Sequence, residues 1–169
     1  ICPRECGANR LNGKVGFCHS AHRPIVSSVC AHHGEEPALS GSRGSGTVFF
    51  GNCNMRCVYC QNHQISQDYK AQRRYEVDSR ILVERMLYLQ DELGCHNINF
   101  VSPSHFVPQI VRAVLEAVPR GLHLPLVYNT SSYDSMANLR ELDGIMSIYL
   151  ADLRYASNKW SKEFSEAPA

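Results

Sequence analysis

Apolar and polar positions along the chain fall into short runs and helical stripes that alternate after residue 46. "TVFFG" (47–51) is a β-branched and aromatic run, which predicts a buried strand. Ile81, Leu82, Met86, Leu89 and Leu93 then recur at helical spacing, with Asp78 as N-cap and Gly94 as the C-terminal stop. "NINFVS" (97–102) predicts a second strand. Ile110, Val111, Val114, Leu115 and Val118 mark the next helical face, closed by Pro119 and Gly121. "LPLVYN" (124–129) predicts a third strand, residues 135–142 a short helix ending near Gly144, and "IMSIYLADL" (145–153) a fourth strand. Residues 157–164 predict the start of another helix.

This βαβαβαβ series predicts an α/β fold with a parallel sheet, and the closely spaced later strands suggest a barrel or part of one. Residues 1–46 read differently. They are rich in Cys, His, Gly and Pro and show little periodicity, so they predict a loop-rich N-terminal module that leads through "SGSRGSG" into the core of 47–169. Every predicted strand ends in polar chemistry: Asn52 and Cys53, Ser102, Asn129 and Thr130, then Asp152. Parallel βα folds place ligands at the C-terminal strand ends, so these residues point to one site at that rim.

Composition narrows the function classes. The 169 residues suffice for one domain with a core, and 44% apolar with 20% charged residues is ordinary for a globular protein. A net charge of +1 gives no bulk electrostatic case for nucleic acid or an anionic membrane. No apolar stretch approaches the ~20 residues of a membrane span, and no signal peptide is visible. The eight cysteines have the local spacings of metal ligands, which predicts a reducing, cytoplasmic setting. The chain opens on "ICPREC", inside a cysteine cluster, and closes on "SKEFSEAPA", just after a helix start. Both ends read as cut, and the fragment alone is expected to be poorly soluble or inactive.

"CNMRCVYC" (53–60) places Cys53, Cys57 and Cys60 on one tight loop. A structural zinc site takes four protein ligands, whereas three thiolates leave a position open. Three can hold three irons of a [4Fe–4S] cube and leave the fourth iron free for an external ligand. A three-ligand zinc site and three structural thiols are the alternatives.

Cys53-x3-Cys57-x2-Cys60, with Tyr59 before the last cysteine and a strand before the loop, resembles the radical S-adenosylmethionine (SAM) motif. "GEEPALSGSRGSGTVFFGNCNMRCVYCQNHQIS", "GCHNINFVSPSH", "LPLVYNTSSYDS" and "IMSIYLADLRY" resemble proteins named as pyruvate formate-lyase activating enzyme-related, across nearly the whole chain. The resemblance implies a partial (βα)6 TIM-like barrel, present here as about four βα units. It implies a [4Fe–4S] cluster on Cys53, Cys57 and Cys60, with SAM on the open iron. Reductive cleavage of SAM would give a 5′-deoxyadenosyl radical that abstracts hydrogen. It also implies a flavodoxin or ferredoxin as electron donor, and a glycyl-radical enzyme as a protein substrate.

Ser102, Ser104, His105, Asn129, Thr130 and Asp152 fall where the family lines the SAM rim. The chain departs from the family pattern there. Ser102-Pro103-Ser104-His105 stands where a Gly-Gly-Glu motif is usual, Asn129-Thr130 in place of Asp-Thr, and Asp152-Leu153-Arg154 in place of Asp-Leu-Lys. The lost carboxylate weakens the expectation of a monovalent cation beside SAM. Asp152, an acid in an apolar run, is expected to be buried and paired with a cation, SAM or Arg154.

"CPRECG" and "GFCH" look like ligand knuckles, so Cys2, Cys6, Cys18 and Cys30 are candidates for a second metal, zinc or iron–sulfur, with His19, His22, His32 and His33 in reserve. The first three match cysteine positions in the resembling proteins. Cys95 is expected to be a small buried residue away from the rim. Gly44 and Gly46 fit a turn rather than a phosphate loop. Glu35–Glu36 and Arg73–Arg74 read as solvated pairs. Two other functions remain open: radical modification of a peptide or small metabolite, and a non-catalytic zinc or iron–sulfur module.

Overall fold

The computed structural model describes residues 2–168, so the outermost residue of each predicted segment lies outside it. In chain order the elements are β1 (Val26–His32), α1 (Pro37–Ser40), β2 (Ser45–Phe50), α2 (His63–Ser66), α3 (Tyr69–Gln72), α4 (Ser79–Asp91), β3 (Ile98–Val101), α5 (Val107–Ala117), β4 (Leu126–Thr130), α6 (Met136–Glu141), β5 (Ile148–Ala151) and α7 (Asn158–Ser165). Single 3-10 turns lie at Arg10–Asn12, Arg73–Tyr75 and Val118–Arg120.

The five strands form one sheet in the order β1-β2-β3-β4-β5. β2 through β5 are parallel, while β1 runs antiparallel to β2. The fold is therefore mixed α/β with a mostly parallel sheet. The four predicted strands are present, with their ends shifted by one to three residues.

β1 corrects the reading of residues 1–46 as loop. Its register shifts between Val26 and Ser28, so a bulge breaks the period of two that would have marked it. Only Val26 is buried in this edge strand. Because β1 pairs along the whole of β2, the hairpin straddles the expected boundary at residue 46. The close approach of Gly46 has a cause: a Cβ there would lie 2.5 Å from the Asn97 carbonyl oxygen.

The core lies between the sheet and the α4–α5 layer. Val48 and Phe50, Ile98 and Phe100, and Leu126 and Tyr128 come from one face of three adjacent strands and meet Leu82, Met86, Leu89, Ile110 and Val114. Asp78 caps α4 by accepting from the Arg80 amide at 3.0 Å. The predicted stripe on α5 is rotated. Ala113 and Ala117 reach the core, while Leu115 and Val118 are exposed, because small side chains let this helix sit close to the sheet. Cys95 is buried in the core, as its sequence position suggested. Among the described residues, no helix is long and apolar enough to cross a membrane.

Candidate functional site

The C-terminal ends of the parallel strands carry unusual backbone. Asn52 after β2, Ser102 after β3 and Ser132 after β4 have φ of 63°, 55° and 62°. Left-handed conformations are uncommon outside glycine and concentrate where the surrounding structure holds a functional rim in place. Asn52 is fully buried and donates through Nδ2 to the His19 carbonyl at 3.2 Å and to Ser20 Oγ at 3.1 Å.

Cys53, Cys57 and Cys60 open onto one cavity of about 430 Å³ beside this rim, whose walls include Ser102, Asp152 and Arg154. The loop that carries them is pinned from several sides. Arg56 donates to the Cys53 and Met55 carbonyls at 2.8 and 2.7 Å, and to the Phe17 carbonyl. Its guanidinium also lies 4.3 Å from the Phe17 ring centroid and 4.6 Å from that of Tyr69. The end of α7 closes the loop: Arg56 N donates to Ser165 O at 2.8 Å and Val58 N to Phe164 O at 2.9 Å. Ser165 Oγ donates to Cys57 Sγ at 3.0 Å and bonds Tyr155, whose hydroxyl meets that of Tyr59 at 2.5 Å.

The Met55 amide donates to Cys53 Sγ at 3.4 Å. Burial nevertheless pushes the Cys53 thiol up to about 11, and nearby Cys57 and Cys60 add to the rise. A metal that displaces the proton removes this penalty. Among the described residues, no three His, Cys, Asp or Glu side chains converge closely enough to share one metal ion. All eight cysteines are free thiols.

The predicted rim residues do not all meet there. Ser102 and Asp152 line the Cys53 cavity. Asn129 stands next to it, its carbonyl accepting from the Ser102 amide at 3.1 Å and its strand neighbours being Val101 and Leu150. Thr130 is buried and ties loops together, meeting Ser104 Oγ at 3.3 Å, bonding Asp134 and accepting from the Ser132 amide at 3.1 Å. Ser104 and His105 line a different cavity, on the side of Cys2, Cys6 and Cys18. His105 is held by Nε2, 3.0 Å from the Gly51 carbonyl, and burial drives its basicity down to about 3.

Asp152 departs from expectation. Its side chain is 49% exposed and pairs with Arg154, because β5 stops at Ala151 on the open edge of the sheet. Cys30 is also separate from the other N-terminal cysteines. It sits in β1 opposite Thr47, whereas Cys2, Cys6 and Cys18 gather around a single cavity.

Sequence reasoning passed over three residues beside these cysteines: Asn54, which bonds Cys53 and Cys2, Arg56, which pins the loop, and Arg10, which lines the cavity of Cys2, Cys6 and Cys18. A polar and a basic residue inside the cysteine loop were the available signal for the first two. Arg10 has none, since its partners are remote in sequence.

No family model matches the chain. It is 28% identical to an uncharacterized protein of Methanocaldococcus jannaschii over 175 aligned residues, which cover 98% of this chain and 48% of that protein. The chain thus spans about half the length of the curated relative it matches.

Proposed function

We propose that the chain is the cluster-bearing part of a radical SAM enzyme, with Cys53, Cys57 and Cys60 holding a [4Fe–4S] cluster. The observation that carries this reading is the meeting of these three thiols with Ser102, Asp152 and Arg154 in one cavity at the C-terminal rim of a parallel sheet. When bound, the cluster and SAM supply electron transfer and a carbon radical. The chain's own residues do the rest. Arg56 and α7 fix the loop, so that the thiols are oriented before a cluster arrives. Ser102 offers a hydroxyl to a polar ligand group. Asp152 and Arg154 present opposite charges, suited to the amino and carboxylate groups of an amino-acid moiety.

On this reading the four parallel strands belong to a partial (βα)6 barrel. A flavodoxin or ferredoxin is the proposed electron source. The substrate class extends from a glycyl-radical enzyme to a peptide or small metabolite.

The test is low-temperature electron paramagnetic resonance of anaerobically reconstituted, dithionite-reduced protein. A [4Fe–4S] signal that changes on adding SAM and is lost in Cys57→Ala supports the reading. Stoichiometric zinc without a cluster signal sinks it and favours a structural module.

A further inference from the structure

We propose that Cys2, Cys6 and Cys18 ligate a second iron–sulfur cluster, with Arg10 as its counter-charge. This goes beyond the SAM reading and stands without it.

The three thiols line a cavity of about 480 Å³ together with Arg10, His22 and His105. The Asn54 carboxamide donates through Nδ2 to Cys2 Sγ at 3.7 Å. Donors aimed at sulfur favour the thiolate and are a feature of bound clusters. Gly16 makes room for Cys6, since a Cβ there would lie 2.3 Å from its Sγ.

Arg10 decides between three reduced thiols and an anionic centre. Its Nε donates to the Ala21 carbonyl at 2.8 Å and Nη1 to the His105 carbonyl at 2.5 Å. Nη2 is buried without a partner among the described protein groups. Cys2, Cys6 and Cys18 line the cavity with it, and the one carboxylate there, Glu5, belongs to an exposed residue. A guanidinium stays protonated in proteins, and a buried charge is costly unless it is paired. Neutral thiols leave Arg10 unbalanced, whereas metal-bound thiolates balance it.

The experiment measures iron, sulfide and zinc in anaerobically reconstituted protein. The wild type is compared with Cys57→Ala and with Cys57→Ala/Cys6→Ser; Cys6 is exposed, so its replacement spares the core. Cys57→Ala is expected to lose about half the iron and keep a cluster absorption band, and the double variant to lose the rest. Iron unchanged between the single and double variants overturns the proposal, as does zinc in place of iron at these cysteines. If Cys57→Ala loses no iron, the SAM reading fails while this one stands on the Cys6→Ser single variant. A second readout needs no variant. Cys6 should alkylate readily in metal-free wild type and resist alkylation after reconstitution; equal reactivity in both forms counts against the cluster.

Discussion

The thiols of Cys53 and Cys2 lie at opposite ends of one carboxamide. Cys53 Sγ donates to Asn54 Oδ1 and Asn54 Nδ2 donates to Cys2 Sγ, each at 3.7 Å. Asn54 is buried and also donates to the Tyr133 carbonyl at 3.0 Å. The two cysteine groups are therefore neighbours through a single side chain, although one belongs to the rim loop and the other to the N-terminal segment.

Replacing Asn54 should disturb both groups together. Asn54→Ala leaves the Tyr133 carbonyl without its donor and should cost about 1–3 kcal/mol in urea unfolding. If the proposed clusters form on reconstitution, it should shift the resonance signals assigned to Cys53 and to Cys2. A shift confined to one signal would show that the amide does not couple them.

Gly46 tests how closely β2 packs on the segment leading into β3. An added methyl meets Asn97 backbone oxygen at 2.5 Å and the Cβ atoms of Cys95 and Leu89 at 3.1 and 3.3 Å. Gly46→Ala should lower stability by about 1–3 kcal/mol, the usual cost of overpacking. An unchanged urea midpoint would mean that β2 and the residues before β3 are not in this close register.

His105 should make the protein acid-sensitive well above the carboxylate range. Burial holds its folded value near 3, below the ordinary 6.5, and Arg10 and Arg56 reinforce this against the Gly51 carbonyl. Above pH 6.5 the ring is neutral in both states and contributes nothing to pH dependence. Between 6.5 and about 3 the unfolded ring binds a proton that the folded ring refuses. Stability therefore falls as pH drops, by up to about 1.4 kcal/mol per unit. His105→Gln should flatten this part of the profile, and the same slope from pH 7 to 5 in both proteins would refute the assignment.

Asp152 separates a structural role from a binding role. Its pairing with Arg154 is about half-exposed, so Asp152→Asn should change stability by less than about 1 kcal/mol. On the proposed function the same variant keeps its cluster and binds SAM more weakly, read by titrating SAM against the resonance signal. Unaltered SAM affinity would remove Asp152 from the site.

Sequence alone determined what depends on near neighbours in the chain. The four parallel strands, the Asp78 cap, the burial of Cys95 and the grouping of Cys53, Cys57 and Cys60 follow from periodicity and short spacing, and the structure contains each of them. Tertiary structure decided the rest. The bulge in β1 erased its alternation, so only pairing with β2 reveals that strand. Ser104 and Ser102 are two residues apart yet serve different cavities, because the chain turns at Ser102, which is itself left-handed. The exposure of Asp152 depends on β5 being the open edge, and the meeting of Arg10 with Cys2, Cys6 and Cys18 in one cavity joins residues from both sides of it in sequence. Burial and electrostatics are set by which segments meet in space, and a local pattern of residues carries no record of those meetings.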